Sequence, residues 1–167
     1  MASLQLVLLG GFQVCSPMEG VLTLPVKKAQ ALLAYLALHP GQRHLRDKLA
    51  ALLWEDSSEA QARHSLRQVL VCLRKAFPET AQVIQAHDNH LILPPEAVDV
   101  DVLEFERLTN VGTPEALESA VALYQGELLE GFNPGSSRFE DWLMERRSQL
   151  RERAIAAAET LLVRQLT

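Results

Sequence analysis

Hydrophobic positions open the chain in three short runs, LQLVLL (4–9), FQV (12–14) and VLTL (21–24), separated by Gly10-Gly11 and SPMEG. Runs of this length bounded by Gly and Pro predict a small antiparallel strand unit. The spacing then changes. In PVKKAQALLAYLALHPG, Leu32, Leu33 and Leu36 recur at helical intervals, Pro25 suits a first turn, and His39-Pro40-Gly41 marks the end. A second, shorter helix is predicted from about Leu45 to Trp54, with Leu45, Leu49, Leu52 and Leu53 inward. After EDSS, in which Ser57 or Ser58 suits an N-cap, a third helix runs from about Glu59 to Phe77 and stops at Pro78. Two apolar runs then flank HDNH within VIQAHDNHLILPPEAVDVDV, and Asp88-Asn89 supplies turn chemistry for a β-hairpin.

From Asp101 the pattern is helical only. DVLEFERL forms a short helix, and TPEALESAVALYQG carries a capping Thr113, Pro114 in the first turn and Gly126 at the end. A long helix runs from about Ser137 to the last residues. Its apolar stripe is Phe139, Trp142, Leu143, Leu150, Ala154, Ala157, Leu161 and Leu162. It ends without a Gly or Pro stop signal, the pattern expected of an architecture cut within a longer protein. The change of character places a boundary near residue 100, dividing the chain into 1–100 and 101–167. The predicted fold is mainly α with small antiparallel β elements.

Composition narrows the function classes. Nearly half of the 167 residues are apolar, enough for real cores. No apolar run is long enough to cross a membrane, and the N-terminus lacks the basic head and cleavage site of a signal peptide. Cys15 and Cys72 lack partner spacing, which argues against a disulfide framework or a Cys-based zinc site and fits a reducing cytoplasm. The net charge of −5 argues against nonspecific nucleic-acid binding by the whole chain. That acidity is local: residues 1–100 hold nine basic and nine acidic side chains, residues 101–167 seven and twelve.

Within the neutral half, ARHSLRQVLVCLRKAF (62–77) is basic with no carboxylate. At about 100° per residue, Ala62, Leu66, Val69, Leu70, Leu73 and Phe77 form the core stripe. Arg63, Arg67 and Arg74 make a row beside it, and His64, Gln68, Val71 and Lys75 complete the outward side. The helix dipole accounts for Arg74 and Lys75 near the C-terminus. It does not account for Arg63 and Arg67, a like-charge i,i+4 pair that costs an isolated helix a few tenths of a kcal/mol. Two helices, this third one and a hairpin are the parts of a winged helix-turn-helix. Its third helix would read the DNA major groove, where Arg pairs with guanine, Gln with adenine, and an apolar side chain meets a thymine methyl. Lys27, Lys28, Arg43 and Arg46, at the starts of the first two helices, are candidate phosphate contacts.

The order of residues also resembles a known family. LVLLGGFQV, KKAQALLAYLALHPGQRHLRDKLAALLW and ARHSLRQVLVCLRKAF are similar to the DNA-binding part of SARP-type regulators, the Streptomyces antibiotic regulatory protein family. VDVDVLEFERL, ALYQGELLEGF and FEDWLMERRSQLRERA resemble the bacterial transcriptional activator domain that follows it. The resemblance implies an OmpR-like winged helix over 1–100 and, over 101–167, the first part of an all-helical, TPR-like activator domain. It implies binding to direct repeats of double-stranded DNA near promoters, often as a side-by-side homodimer, and contact with RNA polymerase. Trp54, Glu55, Asp56, Ser57 and Ser58 would form the polymerase-facing loop, and residues 63–75 the groove reader. It further implies a bacterial cytoplasmic protein, at the nucleoid when bound. Where the family commonly has a Gly-Tyr pair in the wing, this chain has DNHLIL.

Other chemistry is sparse. His87 and His90 flank a turn with no third or fourth ligand in register, so no metal is expected. LLGG and GELLEG lack the spacing of phosphate loops, and no Ser or Cys has a base at motif spacing. Asp99 and Asp101 sit where helix capping accounts for them. Neither catalysis nor a cofactor is expected. MERRSQLRER is basic too, but Glu140, Asp141, Glu145 and Glu152 intersperse or adjoin it, predicting a solvated face or pairing within the domain. The competing functional class is a protein-interaction or scaffolding module that works through its TPR-like helices, with a winged helix that does not bind DNA.

Overall fold

A computed structural model describes residues 4–77 and 83–166. The opening runs form β1 (Leu4–Val7), β2 (Gln13–Ser16) and β3 (Gly20–Leu22), joined antiparallel in that order. In β1 the alternation is strict, with Leu4 and Leu6 buried and Gln5 and Val7 outward. Three helices follow: α1 (Lys27–Leu38), α2 (Arg46–Leu53) and α3 (Glu59–Ala76). A two-residue strand, β4 (His44–Leu45), leads into α2 and pairs with the later hairpin β5 (Gln85–His87) and β6 (His90–Ile92), giving the order β4-β6-β5. Asp88 turns that hairpin at φ 49°, a left-handed conformation that Asp tolerates better than most residues. This is a winged helix-turn-helix.

The connection back was not foreseen. β7 (Val98–Val100) lies parallel to β1, with Leu4 opposite Val98 and Leu6 opposite Val100, so the first sheet reads β3-β2-β1-β7. VDV has the alternation of a strand, but its partner lies more than ninety positions earlier and no local signal names it. The remaining elements are helical: α4 (Asp101–Val111), α5 (Pro114–Leu123) and α6 (Ser137–Leu166). The residue-100 division therefore falls at the junction of β7 and α4.

Local chemistry explains the element ends. Ser58, not Ser57, caps α3, its Oγ accepting from Gln61 N at 3.2 Å. Thr113 caps α5 in the same way through Ala116 N. Gly112, at φ 73°, closes α4. Pro78 lies outside the described residues. Four expectations shift. Pro25 precedes α1 rather than occupying its first turn, and Gly126 is not the cap of α5, which ends at Leu123. Leu45 is 38% exposed because it belongs to β4 and is the extended N-cap residue of α2, so the helical period does not govern its direction. Leu162 is also exposed, beyond the last packed turn of α6.

One continuous core joins the two halves. Leu32, Leu33 and Leu36 of α1, Leu49 and Leu53 of α2, and Leu66, Leu70 and Leu73 of α3 are buried together with Phe105 of α4 and Phe139, Leu143 and Leu150 of α6. Hydrogen bonds reinforce the join. Leu129 N donates to Leu8 O at 2.7 Å and Gly10 N to Glu127 O at 2.8 Å. The Asp101 carboxylate accepts from Leu8 N, Leu9 N and Val102 N at 2.9–3.0 Å. Asp101 thus holds the end of β1 as well as the start of its own helix, a larger role than capping alone. Burial raises its pKa, against the lowering effect of those three N–H groups.

Candidate nucleic-acid interface

α3 buries Ala62, Leu66, Val69, Leu70 and Leu73 against α1 and α2, as its helical period requires. This fixes the opposite side in solvent. Arg63, His64, Arg67, Gln68, Val71, Arg74 and Lys75 are all exposed, Val71 to 46%. No carboxylate stands on that outward arc after Glu59.

Two clefts flank it. One, of about 840 Å³, runs between the β3–α1 connection (Thr23, Pro25) and the α3 side chains His64, Arg67, Gln68, Val71, Cys72 and Lys75. The other, of about 400 Å³, is closed by the wing tip. There Asp88 and Asn89 meet Arg46 and Asp47 at the start of α2 and Arg63 and Arg67 of α3. Arg46 N donates to Asn89 O at 2.7 Å, which sets the wing against α2. Arg46 Nε is buried with no hydrogen-bond partner among the described residues. Arg67 borders both clefts.

The arginine row is not uniform. Arg63 lies 4.0 Å from Asp47 and 3.9 Å from Glu59, and its Nε donates to Glu59 O. The like-charge cost read from the sequence is therefore offset by a carboxylate on the neighbouring helix, which the pattern of α3 alone does not reveal. Among the described residues, Arg67, Gln68, Arg74 and Lys75 have no hydrogen bond or ion pair from their side chains. Arg67 and Gln68 are long donors held beside an open groove. Val71 between them is apolar and accessible, so the face combines cationic, amide and methyl-sized contacts.

Other predicted site residues lie elsewhere. The Lys28 ammonium donates to Leu53 O and stands 5.6 Å from the Trp54 ring centroid, and burial lowers its pKa despite Glu55 and Asp56 nearby. Lys28 is thus engaged within the fold and not extended toward a phosphate. Lys27 lies over the Phe132 ring at 5.3 Å, facing the second half of the chain. Arg43 lines a separate cleft beside β4 and α2, not the α3 face.

The 54–58 loop is also divided. Asp56, Ser57 and Ser58 are exposed, with Ser58 committed to its cap. Glu55, with its side chain only 20% exposed, accepts from Ser137 N at 2.6 Å and Arg138 N at 3.1 Å, capping α6. Beside it Ser136 Oγ donates to Leu52 O at 2.5 Å. Trp54 is half-buried under Lys28. Glu55 therefore ties the halves together, and Trp54 packs against the core beside Lys28. Sequence reading missed this because SS-R-F-E carries its own capping serines, while the acceptor comes from 82 residues upstream.

The second basic run behaves differently from α3. Arg146 pairs with Glu106 at 3.2 Å, and Arg147 donates to Leu128 O and Leu129 O, both at 2.7 Å. Arg151 pairs with Glu127, and Arg153 donates to Thr109 and Asn110. Those arginines knit α6 to α4 and to the segment after α5, so of the two expectations pairing within the domain applies, with partners other than the interspersed acids.

No helix among the described residues is long and apolar enough to cross a membrane. No family model and no curated protein matches the chain by sequence. A solved structure of EmbR from Mycobacterium tuberculosis, in complex with a low-affinity phosphopeptide, is similar with a TM-score of 0.76 at 20% identity. The match covers 96% of this chain and 45% of EmbR, so the chain spans less than half the length of that protein. The likeness is one of fold.

Proposed function

We propose that the chain is the DNA-binding part of a bacterial transcription regulator. α3 reads the major groove of double-stranded DNA, and the helical half serves contact with a second copy or with RNA polymerase. The activity proposed is binding, not catalysis. One observation carries the reading: α3 presents Arg67, Gln68, Val71 and Lys75 in solvent without a carboxylate among them, while every arginine from 146 to 153 on α6 has its partner within the fold. The likeness to EmbR supports a regulator-type fold, and the resemblance to SARP-type sequences supports promoter-proximal direct repeats as the target. Of the candidate phosphate contacts, Arg46 is the one placed with the arginine row.

Docking on phosphates releases counterions, so affinity for duplex DNA falls linearly in log–log form with salt. With Arg46, Arg67, Arg74 and Lys75 on phosphates or bases, the expected slope for the purified chain is about −3 to −4. A slope near zero, or no binding to a pool of duplexes, would sink the proposal. The alternative class, a protein-interaction module, gains from Ile155, Leu162, Val163 and Leu166, which are exposed along the far half of α6. Binding of a helix to that side carries no such salt dependence, so the same titration separates the two.

A further inference from the structure

We propose that a third cleft, between β4, the wing residue His90 and the start of α6, binds a small phosphate-bearing organic anion. The cleft holds about 550 Å³, within the range of small-molecule sites. Gln42 and Tyr35 apart, its polar lining is Arg, Lys and His: Arg43 before β4, His44 in β4, Lys48 in α2, His90 in β6 and Arg138 in α6. No carboxylate lines it among the described residues. In a chain of net charge −5 this concentration of like charge works against the overall balance.

The cations are available. Arg43 and Lys48 are exposed and have no ion pair among the described residues. Arg138 lies 3.7 Å from Glu55, whose shorter bonds go to the backbone N–H groups of Ser137 and Arg138. The guanidinium therefore keeps donors for a further acceptor. Arginine and lysine together suit a phosphate: the planar fork takes two oxygens and the ammonium acts as a point charge.

The rest of the wall suits an organic body. Tyr35, half-buried, is fixed by ring contacts with Trp142 at 4.9 Å and His39 at 4.6 Å between centroids. Leu49 and Leu52 stand beside it. A flat ring joined to a phosphate meets both kinds of surface at once.

The cleft adjoins the one closed by the wing tip, with Leu45 lining both, but no α3 side chain lines it. By the helical period Lys48 and Leu52 are turned about 100° and 140° around α2 from Asp47, and Asp47 is the residue that meets Arg63. A ligand here touches the wing, α2 and α6 together, so its occupancy stiffens the join between the two halves.

Calorimetric titration of the full chain with adenosine 5′-monophosphate, and with adenosine as the phosphate-free control, tests the site. Saturable one-to-one binding of the monophosphate and none of adenosine is expected. The exposed pair R43A/K48A should weaken it by about tenfold or more, the loss that follows from removing charge-assisted hydrogen bonds. The same variant should melt as the parent does without ligand and lose the ligand-induced rise in Tm. Absence of monophosphate binding, equal binding of adenosine, or unchanged affinity in R43A/K48A would each overturn the proposal. So would a variant that loses duplex DNA affinity while the parent binds no monophosphate, because the cleft would then be a DNA-phosphate contact.

Discussion

Replacing Glu55 by Ala removes a contact on which both halves of the chain depend. One carboxylate oxygen accepts from Ser137 N at 2.6 Å and Arg138 N at 3.1 Å, and the group sits at the positive end of the 30-residue helix α6. Losing a capping acceptor costs about 0.5–2 kcal/mol. Losing the negative charge at a helix N-terminus adds about 0.3–1 kcal/mol. The expected destabilisation is about 1–3 kcal/mol, which for a chain of this size lowers Tm by about 2–12 °C. Glu55→Gln keeps one carbonyl acceptor and loses the charge, so it should fall between the parent and E55A. Urea unfolding followed by tryptophan fluorescence measures this well, because Trp54 adjoins the cap and Trp142 lies one turn along α6. An E55A variant within about 0.3 kcal/mol of the parent, inside the scatter of such comparisons, would refute the reasoning.

Two further tests probe the same join. A Cβ added at Gly126 would lie 2.9 Å from Gly10 Cα, backbone against backbone, so Gly126→Ala should cost about 1–3 kcal/mol in urea unfolding. Gly131→Ala, at φ 74° but with open space around it, separates conformational strain from that clash. His39, clustered with the Tyr35 and Trp142 rings, has its pKa lowered, first by burial and then by His44 and Arg146, against the Tyr35 carbonyl and Glu106. Its contribution is intact above the unfolded value of about 6.5 and is lost as pH falls from there through the depressed folded value. The drop in Tm between pH 7.5 and pH 5.5 should therefore be smaller in His39→Gln than in the parent.

The winged helix was legible in the sequence because each of its parts is local. Leu32, Leu33 and Leu36, the stripe from Ala62 to Phe77, and the Asp88-Asn89 turn all act on neighbours within a few residues. The cap at Thr113 and the stripe at Phe139, Leu143 and Leu150 were legible for the same reason. What escaped is the long-range part. The pairing of β7 with β1, the Leu8 and Leu9 N–H groups on Asp101 and the Glu55 cap join segments separated by other elements, and the Asp47–Arg63 contact joins two successive helices. Polar side chains at such joins look like ordinary surface residues in a linear pattern. The structure distinguishes residues that the linear pattern of the candidate site treats alike. Arg63 acquires carboxylate partners, Lys28 turns inward, Arg43 moves to another cleft, and Arg67 is left between the two clefts that flank α3.

That contrast between Arg67 and Arg63 gives the most direct test. Duplexes selected from a random pool by the parent chain should converge on a site, and affinities of R67A and R63A for that site should then be compared at one salt concentration. Arg67→Ala is expected to lose about 1–3 kcal/mol and to relax base preference at one position. Arg63→Ala, whose guanidinium is already balanced by Asp47 and Glu59, should lose less and keep the preference. A pool that does not converge, or an R67A variant with the affinity and selectivity of the parent, would contradict the assignment of α3 as the reading helix.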